Sequence, residues 1–247
     1  MQKITLSPPV ENFNFKNNIS QMFGVDRETY YEKFGLPGHQ GLDIVVRTEK
    51  NGYGERVLAA HNGTVEKITY DVPHQSRGNG IYLLSEDGTF STIYWHLSGF
   101  DCRIGQKINT GDTIGRLGNS GFTVPRPTPS NPWGGAHVHF AVLDNTIANN
   151  EYGGIVDPTP FLFKEGNKLP IKFNRGLFCG VSYGDDISWL QTCMKLEGYA
   201  QDYEPIGIYG YKTMRDVKLF QEKNGLTPVL GFTGPKTRAL LNEKYAI

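Results

Sequence analysis

The sequence has no excess of charge of either sign and no long apolar run. Lys and Arg together number 25, and so do Asp and Glu, which gives a formal net charge of zero at pH 7. A neutral chain lacks the basic surface with which proteins bind nucleic acid, so we expect no nucleic-acid partner. No segment approaches the roughly 18 consecutive apolar residues of a membrane span, so we expect no membrane partner. We take the chain to be a monomer.

Cysteine is also scarce. Cys102, Cys179 and Cys193 are odd in number and show no CxxC spacing, which argues against a disulfide framework and a zinc knuckle. A pairing of Cys179 with Cys193 stays open for an oxidising medium, but unpaired thiols are favoured. The N-terminal residues contain no apolar h-region, so no signal peptide is predicted.

What the sequence does contain is glycine and short apolar runs. There are 30 Gly and 14 Pro, which favours short strands joined by tight turns. Asn62-Gly63 and Asp87-Gly88 are typical of hairpin turns. We therefore predict a mainly antiparallel β domain over residues 1–164. A long Pro- and Gly-rich segment, residues 122–136, interrupts it, and such loops are uncommon unless functional or disordered.

The pattern changes towards the C-terminus. Residues 165–180 show neither strand nor helix periodicity and are interpreted as a flexible linker. After them, apolar residues recur at helical spacing, which predicts a small all-α domain of three helices over residues 181–247. Thr213 and Thr237 follow matching Gly-containing openings. They are predicted to accept the capping hydrogen bond at two helix starts, which indicates a small pseudo-repeat.

Four of the six histidines fall in three short motifs. In HVHF, His137 and His139 are two residues apart on a predicted strand and therefore share one face. In GHQGLD, Gly41 lets the backbone turn so that His39 and Asp43 converge. A catalytic zinc takes three protein ligands and leaves its fourth position to water. His39, Asp43 and one of the HxH pair supply such a set.

The combination is more specific than its parts. An isolated HxH or HxxxD motif is weak, and the chain has no HExxH helix. The alternative is that these are partly buried polar residues satisfied by hydrogen bonds. Two other histidines, His61 and His74, are expected at surface turns, and His96 lies on an aromatic strand between the two clusters.

The order of GHQGLD, YWHLS, GQKINTGDTIGRLGNSG and HVHF resembles the lysostaphin-type zinc metallopeptidases of bacterial and phage cell-wall lysis, over about residues 19–161. The resemblance implies that Zn²⁺ is the cofactor and that His39, Asp43 and His139 are its ligands. It also implies that His137 is the general base that acts on a zinc-bound water. His96 would stabilise the negative charge that develops on the tetrahedral intermediate. Segment 122–136 is longer than the family's usual loop, which borders the substrate groove in the family, so the resemblance does not extend to cleavage specificity.

The C-terminal part resembles the peptidoglycan-binding domain of type one, through ISWLQTCMKLEGY, GIYGYKTMRDVKLFQEKNGL and GFTGPKTRALLN. Together the two resemblances imply an endopeptidase that hydrolyses stem or cross-bridge peptide bonds of bacterial peptidoglycan. The helical domain is expected to contribute targeting and no chemistry. Two alternatives stay open: a non-catalytic peptidoglycan-binding or hydrolase-activating protein, and a histidine phosphocarrier.

The segment ISQMFGVDRETYYEKFGLPGHQGLD resembles the phage versions of the family in particular. We therefore expect a phage-type lysin that is made in the cytoplasm and acts on the cell wall at lysis. The other expectation is a secreted enzyme whose leader has been removed.

Overall fold

The structure is a computed structural model that describes residues 5–72, 77–147 and 150–247. The surface position predicted for His74 lies outside these residues. The helices are α1 (Phe15–Asn18), α2 (Thr159–Leu162), α3 (Asp185–Leu196), α4 (Tyr211–Lys223) and α5 (Pro235–Tyr245), with a 3-10 turn at Tyr31–Phe34. The strands are β1 (Ile19–Gln21), β2 (Leu42–Ile44), β3 (Arg56–Leu58), β4 (Gly63–Thr69), β5 (Gly80–Ser85), β6 (Phe90–Trp95), β7 (Gly99–Phe100), β8 (Lys107–Ile108), β9 (Thr113–Arg116), β10 (Val138–Asp144) and β11 (Ile155–Val156).

The predicted antiparallel β architecture is confirmed. The larger sheet has the order β1-β2-β10-β6-β5-β4-β8, with β11 also paired to β10, and a small sheet has the order β3-β9-β7. Every strand pair among the described residues is antiparallel. Strand β10 lies between β2 and β6, and its His139 is opposite Asp43 on one side and Trp95 on the other. The register therefore brings the separate motifs together.

The two turn signals had different outcomes. Strands β5 and β6 form a hairpin around Asp87-Gly88, as predicted, with Leu84 opposite Ser91. The hairpin predicted at Asn62-Gly63 is wrong, because β3 pairs with β9 in the small sheet while β4 pairs with β5 and β8. The chain changes sheets at this turn.

His61 is not a surface residue. It is buried, and its Nε2 lies 2.9 Å from the Thr92 hydroxyl oxygen while its ring packs edge-on against Phe90. Burial lowers the pKa of His61 below its usual value. All three cysteines are free thiols, as favoured above.

The three predicted C-terminal helices are confirmed as α3, α4 and α5. None of the described helices is long and apolar enough to cross a membrane. Each helix turns its periodic apolar residues into the core, where the fully buried members are Ile187, Leu190, Met194, Val217, Phe220 and Leu241.

The helix starts differ from the prediction. Gly210 and Gly234 occupy the cap positions and make no side-chain capping bond, whereas Thr213 and Thr237 lie inside the first turn. Their hydroxyls accept hydrogen bonds from the side-chain amides of Gln191 and Gln221, each at 3.0 Å. The pseudo-repeat is therefore real, but its repeated contact joins consecutive helices instead of capping one.

Residues 165–180, interpreted from the sequence as a flexible linker, make specific contacts with the C-terminal helix α5. The backbone N–H of Leu169 donates to Tyr245 O at 2.7 Å, and that of Phe173 donates to Asn242 Oδ1 at 2.8 Å. The apolar side chains of the segment belong to the same hydrophobic core as both flanking regions, and the buried ones are Leu169, Ile171, Phe173 and Leu177. Because one core crosses both boundaries, the divisions at 164 and 181 stay predictions.

Candidate metal centre

Three side chains converge at the junction of β2 and β10. Nε2 of His39 lies 3.0 Å from Nδ1 of His139, and Oδ1 of Asp43 lies 3.0 Å from the same nitrogen and 3.1 Å from Nε2 of His39. A tetrahedral zinc with bonds of about 2.0–2.1 Å would hold its ligands about 3.3 Å apart. The triangle therefore has nearly the size that such an ion requires.

The tautomer of His39 shows why a cation suits this triangle. Nδ1 of His39 lies 3.0 Å from Met22 O, and a carbonyl oxygen can only accept, so the ring proton is on Nδ1. In the neutral ring, Nε2 then carries a lone pair 3.1 Å from the carboxylate of Asp43. Two acceptors cannot satisfy each other, whereas a metal ion satisfies both.

His139 is held by its packing. Its ring stacks on Trp95, with centroids 4.9 Å apart and planes at 16°. On another side lies Gly41, where a Cβ would stand 2.7 Å from Nε2 of His139 and 2.6 Å from Phe140 O. Gly41 is not among the glycines of positive φ. It is needed here because the imidazole occupies the space of a side chain, not for the turn that the sequence suggested.

A second pair of histidines flanks the triangle. Nδ1 of His137 lies 2.8 Å from Gly135 O, and Nδ1 of His96 lies 2.8 Å from Ser120 O. In both neutral rings the proton is therefore on Nδ1 and Nε2 carries a lone pair. The two ring centroids are 4.6 Å apart, and Nε2 of His137 is 3.5 Å from Oδ1 of Asp43.

His39, Asp43, His96, His137 and His139 all fall within residues 37–151, which match peptidase family M23. This part of the chain is an M23 peptidase domain. M23 peptidases are zinc-dependent, and the donor set of this M23 domain fits zinc. Residues 183–241 match a peptidoglycan binding domain.

The chain is similar to the glycyl-glycine endopeptidase ALE-1 of Staphylococcus capitis, with 30% identity over 129 residues, which are 52% of the chain and 30% of ALE-1. The peptidoglycan DD-endopeptidase ShyC of Vibrio cholerae is 33% identical over 115 residues, which are 47% of the chain and 22% of ShyC. A solved structure of the catalytic domain of lysostaphin from Staphylococcus simulans has a TM-score of 0.39 at 25% identity, over 50% of the chain and 78% of that domain. The chain matches less than a third of the length of these two curated relatives.

Burial sets the charge state of the M23 site. It lowers the pKa of His139 to about 4 and, together with the neighbouring His137 and His139, that of His96 to about 3. Burial would raise the pKa of Asp43, but the adjacent imidazoles of His39, His137 and His139 outweigh it and hold that pKa well below its usual value. At neutral pH the site thus offers an anionic carboxylate beside neutral imidazoles at His96 and His139.

The site opens into a groove of about 720 Å³. Both ends of segment 122–136 line the groove, among them Phe122, Pro125 and Ala136. The Phe122 ring stacks on the Tyr30 ring, with centroids 6.2 Å apart, and the guanidinium of Arg126 lies 4.7 Å from the Phe122 ring centroid. Trp133 lies further out, with the Lys50 ammonium 5.6 Å from its ring centroid.

Sequence reasoning missed Tyr31. Its ring lies 5.6 Å from that of His39 and it lines the groove beside the triangle. Burial, and then the charge of Asp43, raise its pKa above the usual value, so the phenol keeps its proton at neutral pH. The Tyr30-Tyr31 pair shortly before GHQGLD was the available signal. The carbonyls of Met22, Gly135 and Ser120 left no signal, because a backbone acceptor has no side-chain signature.

Proposed function

We propose that the chain is a zinc-dependent endopeptidase that hydrolyses peptide bonds in the stem or cross-bridge of bacterial peptidoglycan. The carrying observation is the triangle of His39, Asp43 and His139 at the floor of an open groove. The peptidoglycan binding domain at residues 183–241 supports the choice of polymer. The names of the relatives, a glycyl-glycine endopeptidase and a peptidoglycan DD-endopeptidase, support cleavage of a peptide bond.

His39, Asp43 and His139 would hold the ion. Zinc, when bound, activates water at neutral pH and polarises the scissile carbonyl. His137 is proposed as the general base: its Nε2 lone pair accepts a proton from water, and the resulting imidazolium returns a proton to the leaving amine. The bond from Nδ1–H to Gly135 O keeps the ring in the tautomer that this task requires.

The role proposed for His96 is to stabilise the negative charge of the tetrahedral intermediate, and it depends on protonation. With its ring proton donated to Ser120 O, neutral His96 has only a lone pair at Nε2. It can donate to an oxyanion only after taking up a second proton from solvent in the groove that it lines. Negative charge developing in the groove favours that proton, because a nearby opposite charge stabilises the imidazolium. His96 is therefore proposed to act as a cation formed during the reaction.

A phage-type lysin is the finer form of the proposal, supported by the resemblance of residues 19–43 to the phage versions of the family. In this form the protein is made in the cytoplasm and acts on the cell wall at lysis. The alternative is a non-catalytic wall-binding or hydrolase-activating protein, and the complete set of five site side chains favours the enzyme.

The test is digestion of purified peptidoglycans of defined stem and cross-bridge composition, followed by mass spectrometry of the released muropeptides. The zinc-loaded protein should release fragments with one new amine and one new carboxylate at a single kind of peptide bond. Addition of a chelator should stop the release, and zinc should restore it. No new peptide ends from any of these walls with zinc-loaded protein would overturn the proposal.

A further inference from the structure

The backbone of residues 22–26, called the strap below, connects the metal site to the C-terminal module, defined as residues 181–247. On one side the strap holds His39 at three points. Met22 O accepts from Nδ1 of His39 at 3.0 Å, the Gly24 N–H donates to His39 O at 2.9 Å, and the His39 N–H donates to Val25 O at 3.0 Å. Both the position and the tautomer of this candidate ligand therefore depend on the strap.

The other side of the strap is held by the first turn of α3 in the C-terminal module. The Ser188 hydroxyl donates to Gly24 O at 2.7 Å, and both groups are buried. The Asp26 N–H donates to Oδ1 of Asp185 at 2.8 Å. Backbone groups of one short segment are thus shared between His39 and the helical module.

The strap and the module are in close contact at Gly24. Gly24 has φ +75°, and a Cβ there would stand 2.4 Å from Pro205 O of the module. The same carbonyl accepts a hydrogen bond from the Tyr152 hydroxyl at 2.7 Å. A close contact of this kind sets the shortest distance between the two parts, because neither backbone can move towards the other.

A second path runs through packed side chains. Phe23 of the strap is fully buried, packs on Tyr152 with ring centroids 4.5 Å apart, and belongs to one apolar cluster with Trp95. Ile206 of the C-terminal module packs against this cluster. Trp95 is the ring on which His139 stacks. The module therefore supports two of the three candidate ligands, His39 through hydrogen bonds and His139 through packing.

We infer that the C-terminal module is a structural part of the metal centre, in which Ser188 and Asp185 are positioning residues for His39 through the strap. This departs from the targeting role expected from sequence. Groups that orient metal-bound histidines typically change metal affinity about 10–100-fold when they are removed. Ser188 and Asp185 contact the strap and not His39 itself, so we expect their removal to weaken metal binding by the lower end of that range. The inference rests on the metal site of the proposed function and not on the bond that is cleaved.

The test compares three full-length variants with the wild type. Ser188→Ala/Asp185→Ala removes both bonds to the strap. Asp185→Asn keeps a side-chain oxygen acceptor for the Asp26 N–H. Asp186→Ala is the matched control, since Asp186 lies in the same first turn of α3 but pairs with Arg175. Zinc dissociation constants come from competition with a chromogenic chelator, and hydrogen exchange of the metal-free proteins reports the Gly24 and His39 amides.

The double variant should bind zinc about tenfold more weakly and exchange the Gly24 and His39 amides faster. Asp185→Asn and Asp186→Ala should stay close to the wild type in both measurements. On a soluble muropeptide, subsaturating zinc should lower the kcat of the double variant with little change in KM. Wild-type zinc affinity in the double variant would overturn the inference, and so would an equal loss in Asp186→Ala. An inactive wild-type protein that still shows the affinity difference would refute the proposed peptidase and leave the inference standing.

Discussion

Gly41 and His139 share a space that holds only one side chain. A methyl group at position 41 would stand 2.7 Å from Nε2 of the imidazole, with the Phe140 carbonyl oxygen equally close. Gly41→Ala should therefore displace the His139 ring and weaken zinc binding at least about tenfold. Gly99→Ala is the control, because a Cβ at position 99 meets nothing within 4 Å. Equal zinc affinity in the two variants, measured by chelator competition, would contradict the prediction.

His139→Ala and His137→Ala should separate a zinc ligand from a general base. The first should lose both the metal and the activity. The second should retain about one zinc per chain and lose about 10²–10⁴-fold in kcat, since general acid–base catalysis contributes about that much. Metal content and single-turnover rates on a soluble muropeptide check both. If His137→Ala lost zinc and His139→Ala kept it, His137 would be the ligand and His139 the general base.

Phe122 is predicted to act in substrate binding only. Its ring contacts Tyr30 and Arg126 on the groove wall and belongs to neither the triangle nor the histidine pair. Phe122→Ala should raise KM several-fold for soluble muropeptides, while kcat and zinc content stay near wild type. A fall in zinc content would mean that segment 122–136 supports the metal site instead.

Asp157 is a fully buried carboxyl group between the M23 domain and the C-terminal module. It receives hydrogen bonds from the Thr159 N–H and from the Thr192 hydroxyl. Burial raises its pKa above the usual 3.8 despite these bonds. A raised pKa in the folded state means that the contribution of Asp157 to stability is present in full below about pH 3.8 and is lost as pH rises through the folded-state pKa.

Asp157→Asn should therefore unfold at a higher temperature than the wild type at about pH 7, because the amide oxygen can accept from the Thr159 N–H and the amide nitrogen can donate to the Thr192 hydroxyl oxygen without a buried charge. The difference should vanish towards about pH 3, where the wild-type carboxyl is protonated. Differential scanning calorimetry of both proteins across this pH range measures the difference in unfolding temperature. A variant less stable than the wild type at neutral pH would show that the ionised carboxylate is stabilising there.

The sequence predicted the parts of the site that depend on local periodicity. Alternation along a strand placed His137 and His139 on one face, and the spacing of His39 and Asp43 predicted their convergence. It could not predict the Met22 carbonyl on His39, since that contact joins the ring to a backbone oxygen 17 positions away. The charge state of His96 was hidden for a similar reason, because it depends on burial by residues from several strands.

At two places tertiary contacts outweigh the local sequence signal. Thr213 follows a glycine at a helix start, which is typical of a cap region, yet its hydroxyl accepts from Gln191 of the preceding helix. Residues 165–180 have no periodicity of their own, because their apolar side chains fill space left between two larger elements. Lack of periodicity therefore did not mean lack of fixed structure.

Because residues 169–177 run through the core, they restrict where this protein can be joined to domains of other proteins in a chimera. A domain on a free tether can be exchanged by joining two genes anywhere within the tether. Here a junction after residue 173 would separate Leu169 from Tyr245 and Phe173 from Asn242, its partners near the end of α5. A functional chimera with a different wall-binding domain would have to inherit matching partners for residues 22–26 and for 169–177. The two parts therefore have to be exchanged together. Simple replacement of the last 67 or so residues should yield proteins that fold poorly.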